Sequence, residues 1–98
     1  MLHPIYRVTA CEVVGASTLR VQFDDASERV IDLSPVLRGV LFGPLRDPAF
    51  FRDVRVDPEV HTVVWPNGAD FDPATLHDWP EHVGPLSLLA QRWDSGAE

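Results

Sequence analysis

The chain is organised around the stretch Thr62-Val63-Val64-Trp65-Pro66-Asn67-Gly68-Ala69-Asp70-Phe71-Asp72-Pro73. Its first four residues are β-branched or aromatic and predict a strand, which ends at Pro66 because proline has no N–H to donate to a sheet partner. Asn67-Gly68 predicts a tight turn with positive backbone dihedrals. Asp72 predicts a helix start, because its carboxylate can cap the first turn and the following proline leaves no N–H unpaired.

The chain before this stretch predicts an antiparallel meander. Residues 6–14 are rich in β-branched and aromatic side chains and indicate a first strand. Residues 19–24 alternate between apolar and polar, the period of a half-buried second strand, and residues 28–33 return as a third after a hairpin turn. The side chains expected to face the core are those of Leu19, Val21, Phe23, Ile31 and Leu33.

Three short helices or 3₁₀ turns are predicted where a capping side chain precedes proline. The three caps are Ser34, Asp47 and Asp72. Gly39 is the expected end of the first helix. Residues 40–45 read as an apolar connector that packs across the sheet, and residues 48–52 as the second helix, with two phenylalanines near the core.

Two further strands and a last helix complete the predicted fold. The strands are Val54–Asp57 and Thr62–Trp65, and the helix covers residues 84–93, with Leu86, Leu89 and Trp93 on one face. Residues 95–98 are expected to fray. We therefore expect one α+β domain over residues 1–98: a small antiparallel meander sheet of about five strands with short helices and a C-terminal helix.

The net charge of the chain limits the classes of partner that we expect it to bind. Eight basic residues, all arginine, face 15 acidic residues, which gives a formal net charge of −7. Such a chain repels phosphate backbones, so we expect no nucleic-acid partner, and its field favours a basic protein instead. The apolar stretches are too short for a signal peptide or a membrane span, and the single cysteine, Cys11, excludes an internal disulfide. A soluble cytoplasmic protein is expected.

Four polar residues could support a different kind of function. Asp70, Asp72, His77 and Asp78 lie within nine residues and offer oxygen and nitrogen ligands for a divalent cation. Against a metal site, Asp72 is explained as a helix cap and Asp70 can bond the amides of its own turn. We expect no catalytic residue, metal site or cofactor, and keep a small-ligand- or metal-binding enzyme that uses Asp70 and Asp72 as the alternative.

The sequence resembles a known bacterial family, domain-of-unknown-function family 2442. The resemblance covers about residues 8–76 and is carried by Phe23-Asp24-Asp25, Val30-Ile31-Asp32-Leu33-Ser34-Pro35, Pro44-Leu45-Arg46-Asp47-Pro48 with Phe51, and Val63-Val64-Trp65-Pro66-Asn67-Gly68-Ala69-Asp70. It implies a small α+β fold without agreed catalytic residues. Some relatives look like one half of a two-gene module beside a small basic protein, as in toxin–antitoxin pairs. This chain departs from the family at two positions. Ala26 stands where a glycine is common, so a longer hairpin turn is expected here, and His77 stands where tyrosine is common.

Our leading hypothesis is an interaction or regulatory module, an antitoxin-like partner of a small basic protein. The expected binding residues are Trp65, Asn67, Gly68 and Asp70 in the central stretch, with Trp65 largely buried. An exposed sheet edge could hold the partner or form a homodimer. The candidate edges are the outer strand of the meander and the strand Val54–Asp57.

Overall fold

Three antiparallel strands at the start of the chain form the predicted meander. The computed structural model describes residues 6–95. In it β1 spans Val8–Gly15, β2 spans Thr18–Phe23 and β3 spans Glu28–Asp32, in the order β1-β2-β3. The predicted core face is confirmed, because each of these side chains is buried: Leu19, Val21, Phe23, Ile31 and Leu33.

The turn between β2 and β3 places an alanine in the left-handed region. Ala26 has φ 71°, and its N–H donates to the carbonyl oxygen of Phe23 over 3.1 Å. The Phe23 N–H donates in turn to Ser27 over 3.0 Å. Three residues therefore close the hairpin, with the third in the conformation that usually selects glycine. The expected longer turn at Ala26 is confirmed.

The remaining strands form a second, two-stranded sheet. β4, Arg55–Val56, pairs antiparallel with β5, Val63–Val64. The predicted total of five strands and the α+β class are confirmed, but in the described residues the strands are divided between two sheets, since β4 and β5 pair with each other and not with the meander. β4 packs against β1. The Val8 N–H donates to the carbonyl oxygen of His61 over 2.8 Å, which links the start of β1 to the β4–β5 loop.

Two of the three predicted helix caps are confirmed. Asp47 accepts a hydrogen bond from the Ala49 N–H at the start of α2, Pro48–Phe51. Asp72 caps α3, Pro73–His77, in the same way. The cap at Ser34 is wrong: Ser34 is the first residue of a 3₁₀ turn that ends at Val36, and its N–H is satisfied two residues back by a carboxylate oxygen of Asp32.

The segment predicted to pack across the sheet is helical instead. α1 spans Gly39–Phe42 and a 3₁₀ turn follows over Gly43–Arg46. Gly39 opens α1 with φ 82° and does not end the preceding turn, so that prediction is wrong. A Cβ at Gly39 would lie 2.8 Å from the Cβ of Trp93, so only glycine lets α1 approach the last helix this closely.

The last helix starts earlier than predicted. α4 spans Trp79–Ser95, because Gly84-Pro85 lies inside the helix and does not begin it. Its core-facing residues recur every three or four positions: Trp79, Val83, Leu86, Ala90 and, partly exposed, Trp93. Leu86, Leu89 and Trp93 lie on one side of α4 as predicted, but Leu89 is 45% exposed and the buried position beside it belongs to Ala90. Of the tail predicted to fray, Ser95 ends α4 and residues 96–98 lie outside the described part.

The left-handed backbone at Ala26 leads to a stability prediction. We expect Ala26→Gly to raise the free energy of unfolding by about 0.5–1 kcal/mol, because glycine removes roughly 1–2 kcal/mol of left-handed strain and returns part of it as chain entropy. Urea unfolding measures the change. Ala16→Gly is the matched control, since Ala16 lies in the other hairpin turn without a positive φ and should lose stability. Equal losses in both variants would contradict the strain at Ala26.

Candidate functional site

Trp65 lies in the core, where only 1% of its surface is exposed. Its indole Nε1–H donates to the carbonyl oxygen of Phe51 over 2.9 Å. The indole also packs on the rings of Phe51 and Phe71, with centroids 5.5 and 6.0 Å away. The expected burial is confirmed. Trp65 fastens the end of β5 to α2 and faces away from any partner at the surface.

The turn after Trp65 is a three-residue hairpin loop. The Trp65 N–H donates to Ala69 and the Gly68 N–H donates to Trp65, each over 2.9 Å. Gly68 has φ 87°, as predicted, but Asn67 is not among the positive-φ residues of the described chain. The prediction for Asn67 is wrong because Pro66, with its fixed negative φ, is the first central residue of the turn and leaves Asn67 as the second.

Asn67 ties this turn to α1. Its side-chain oxygen Oδ1 accepts from the Ala69 N–H over 3.1 Å. Its Nδ2 donates to the carbonyl oxygen of Leu41 over 2.9 Å. Asn67 and Gly68 are themselves exposed. The turn therefore braces α1 while its tip faces solvent, and the binding role expected for Trp65, Asn67, Gly68 and Asp70 stays a prediction.

The four candidate metal ligands make separate structural contacts. Asp70 is exposed and its backbone pairs with Val64. Asp72 accepts from the Ala74 and Thr75 amides over 3.1 and 3.3 Å as the cap of α3. Within residues 6–95 the structure forms no group of three His, Cys, Asp or Glu side chains that could hold a metal ion.

His77 links three parts of the chain. Its ring stacks on Tyr6 with centroids 3.7 Å apart. Its Nε2 lies 2.9 Å from Asp25 Oδ2 in the β2–β3 turn, and its Nδ1 lies 3.0 Å from Asp78 Oδ1. Both contacts are hydrogen bonds when both ring nitrogens carry protons. The sequence could not reveal the contacts of His77 with Tyr6 and Asp25, since both residues are far from His77 along the chain.

Asp25 is held in its charged form by the same turn. The Ser27 hydroxyl, then the Ser27 N–H, and His77 as a smaller contribution lower the pKa of Asp25 to about 2. Hydrogen bonds to a carboxylate favour the ionised state. Asp25 is therefore ionised at pH values well above 2, and it joins the hairpin tip to the junction between α3 and α4.

A patch of exposed apolar side chains lies beside the Asn67 turn. Val40 in α1 is 97% exposed and Trp93 in α4 is 40% exposed. They line a recess of about 300 Å³ together with Leu41 and Phe42, and Phe42 stacks on Trp93 with centroids 5.6 Å apart. Arg38 is the charged residue among those that line this recess.

The edge strand β3 offers unpaired backbone groups. Hydrogen-bonded pairs alternate along β2 and β3, and the bonds Phe23–Ser27 and Leu33–Ser17 fix which pairs they are. The N–H and C=O groups of Glu28, Val30 and Asp32 must then point away from β2. Within the described residues the only recorded bond to these edge groups comes from Arg29, whose Nη1 donates to the Glu28 carbonyl over 3.0 Å.

The side chains along this edge form an acidic, apolar, acidic row. Ile31 is buried, so Glu28, Val30 and Asp32 lie on the opposite, solvent face, where Val30 is 62% exposed. The sequence carries a signal for this exposure: in Val30-Ile31 two apolar residues are adjacent in a strand, so one of them must face solvent. We take this row, Glu28, Val30 and Asp32, as the candidate functional site and call it the β3 edge.

Comparison with known proteins yields one match. A family model described as protein of unknown function (DUF2442) matches residues 8–82. None of the curated proteins matches the chain. None of the solved structures matches it either. In residues 6–95 no helix is both long and apolar enough to cross a membrane.

The conformation of Gly68 leads to a second prediction. We expect Gly68→Ala to lower the free energy of unfolding by about 0.5–1.5 kcal/mol, because a Cβ is strained at φ 87°. Gly84→Ala is the matched control: both glycines have open space around them, but Gly84 lies inside α4, where alanine should stabilise by about 1 kcal/mol. Thermal unfolding measures both, and a stabilised Gly68→Ala variant would contradict the assigned turn.

The lowered pKa of Asp25 predicts how stability depends on acid. A carboxylate with a depressed folded-state pKa contributes stability above its unfolded pKa, roughly 3.9, and loses it as the pH falls toward about 2. Asp25→Asn should therefore destabilise the protein at pH 6, by an amount that shrinks as the pH falls through this window. Urea unfolding at several pH values measures it, with Asp53→Asn as a control for net charge. A pH-independent difference would contradict the role of the Asp25 charge.

Proposed function

We propose a function from the surface of this protein, which belongs to the DUF2442 family of proteins of unknown function. It is an interaction module that binds a small basic protein, and it does so by accepting a strand of that protein at the β3 edge. The binding is regulatory in character, as for an antitoxin-like partner, and takes place in a reducing cytoplasm, where the unpaired thiol of Cys11 is stable.

The observation that carries the proposal is the unpaired backbone of β3. Val30 has neither its N–H nor its C=O bonded within the described residues, and its side chain is exposed on the same edge. Unpaired edge groups readily accept another strand, whose main-chain hydrogen bonds supply affinity. The β1 edge is less open at its start, because β4 contacts β1 and the Val8 N–H donates to the His61 carbonyl. α3 also contacts β3, where Arg29 Nε donates to the His77 carbonyl, but the backbone groups of Val30 have no bond to it. β3 is therefore where a partner strand fits best.

The charge of the chain supports a basic partner. A net charge of −7 draws positively charged proteins toward the molecule and repels nucleic-acid backbones. Opposite charges mainly accelerate encounter and set specificity, and salt screens them over a distance of about 10 Å at 0.1 M. Binding to the partner should therefore weaken as the salt concentration rises.

The test locates the partner on the surface. A photo-crosslinking amino acid is placed at position 30 in one variant and at position 40 in another, and each is expressed in the source cell. We expect one small basic protein to be crosslinked from position 30 and not from position 40, since Val40 is a still more exposed valine, 97% against 62%, and lies in α1 outside the sheet. The purified partner is then titrated by calorimetry at low and high salt, with duplex DNA as a control.

Two results would overturn the proposal. The first is tight, salt-sensitive binding to DNA with no basic protein captured from position 30. The second is a partner whose affinity is unchanged by Val30→Lys. That substitution adds a positive charge to the β3 edge, whereas Val40→Lys makes the same change of charge elsewhere and should leave binding nearly intact.

A further inference from the structure

We infer that the β3 edge recognises an extended segment in which one apolar residue has a basic residue two positions away on each side. This inference rests on the proposed function and names the sequence that the partner strand should carry. It follows from three features of β3: which backbone groups are free, which face the side chains occupy, and how the charges are spaced.

The backbone geometry sets which partner residues lie opposite the row. Glu28, Val30 and Asp32 present free N–H and C=O groups, so an added strand would pair with them at every second residue. Residues directly opposite in such pairs point to the same face of the sheet, with Cα atoms roughly 5.5 Å apart. Three alternate residues of the partner would therefore lie beside the acidic, apolar, acidic row on the solvent face.

The carboxylates of the row keep enough free capacity to bind cations. Asp32 uses Oδ1 to accept from the Ser34 N–H, which leaves its other oxygen available. Glu28 Oε1 accepts from Gln22 over 3.2 Å, and Glu28 Oε2 lies 3.7 Å from Arg20 Nε, a loose and exposed ion pair. Arg20 lies directly opposite Val30 on β2, and Glu12 also pairs with it. The row therefore remains net negative.

The same spacing disfavours pairing between two copies of the chain. A two-fold symmetric pair of β3 strands must be antiparallel, and the register that overlaps the whole strand places Val30 opposite Val30. Glu28 of one copy then lies opposite Asp32 of the other, and like charges in directly opposed positions are destabilising. A basic segment replaces both repulsions with attractions, so the occupant of the β3 edge is a partner strand and not a second copy.

A synthetic peptide tests the pattern. Its central valine has arginine two residues away on each side, with threonine at the positions between. A second peptide of the same composition has both arginines moved by one residue, onto the opposite face. Fluorescence anisotropy should show that the first peptide binds more tightly, and that the double variant Glu28→Gln, Asp32→Asn weakens its binding about two- to thirtyfold, the range for two cross-strand charge pairs.

A matched double variant separates pairing from general attraction. Asp53→Asn with Glu59→Gln changes the net charge by the same amount, at exposed positions outside β3. We expect this control to leave peptide affinity nearly unchanged. Equal binding of the two peptides, or an equal loss in both double variants, would overturn the inferred pattern.

Val30→Pro separates failure of the pattern from failure of the proposed function. The Val30 N–H is unpaired, so proline removes no bond from the sheet but blocks an added strand. If Val30→Pro folds by circular dichroism and binds the peptide as well as the wild type, the β3 edge is not the site and the proposed function falls. If Val30→Pro loses peptide binding while the charge variants keep it, the β3 edge is the binding site and only the inferred charge pattern is wrong.

Self-association gives an independent readout. Glu28→Lys puts a positive charge opposite Asp32 in the self-paired register, so this variant should dimerise at lower concentration than the wild type in sedimentation experiments. Asp53→Lys, the control, should not. A wild-type dimer that Glu28→Lys weakens would overturn the exclusion of self-pairing at β3.

Discussion

The buried hydrogen bond from the Trp65 indole to the Phe51 carbonyl holds together the parts of the chain that the first sheet does not connect. Trp65 directly follows β5, and Phe51 ends α2, so one contact joins the second sheet to the helical layer. A buried indole N–H without a partner would be costly, and here it is satisfied by main chain. Because the indole is anchored, the Asn67 turn beyond it is placed where it can brace α1.

Local chemistry in the sequence predicted much of this fold, and longer-range contacts account for what it missed. The alternation of apolar and polar residues in β2 predicts its core face, and the Asp-Pro pairs predict the starts of α2 and α3. The start of α4 was missed because Gly84-Pro85 has the form of a helix boundary, while burial of Trp79 and Val83 extends the helix past it. Gly39 has the local form of a helix stop, but its positive φ allows a close approach to Trp93 that no local pattern shows.

The candidate site could be predicted only in part. A sheet edge and a basic partner follow from the meander and the net charge, but the choice of β3 requires knowing that β4 packs against β1. Tryptophan, asparagine and glycine are unusual together, so the central stretch favours a binding site on sequence grounds. In the structure these residues have structural roles: Trp65 packs in the core, Asn67 is bonded to α1 and Gly68 adopts the left-handed conformation of the turn.

The account depends most on β3 having a free outer edge, and amide hydrogen exchange measures this residue by residue. Unpaired edge amides exchange far faster than amides bonded in a sheet. In the free protein the Val30 amide should exchange quickly, while the amides of its neighbours Arg29 and Ile31, which are bonded to β2, should be protected. A saturating concentration of the peptide with arginine two residues from its central valine should slow exchange at Val30 and leave Arg29 and Ile31 unchanged. Slow exchange of Val30 in the free protein, or no change on adding the peptide, would contradict the account.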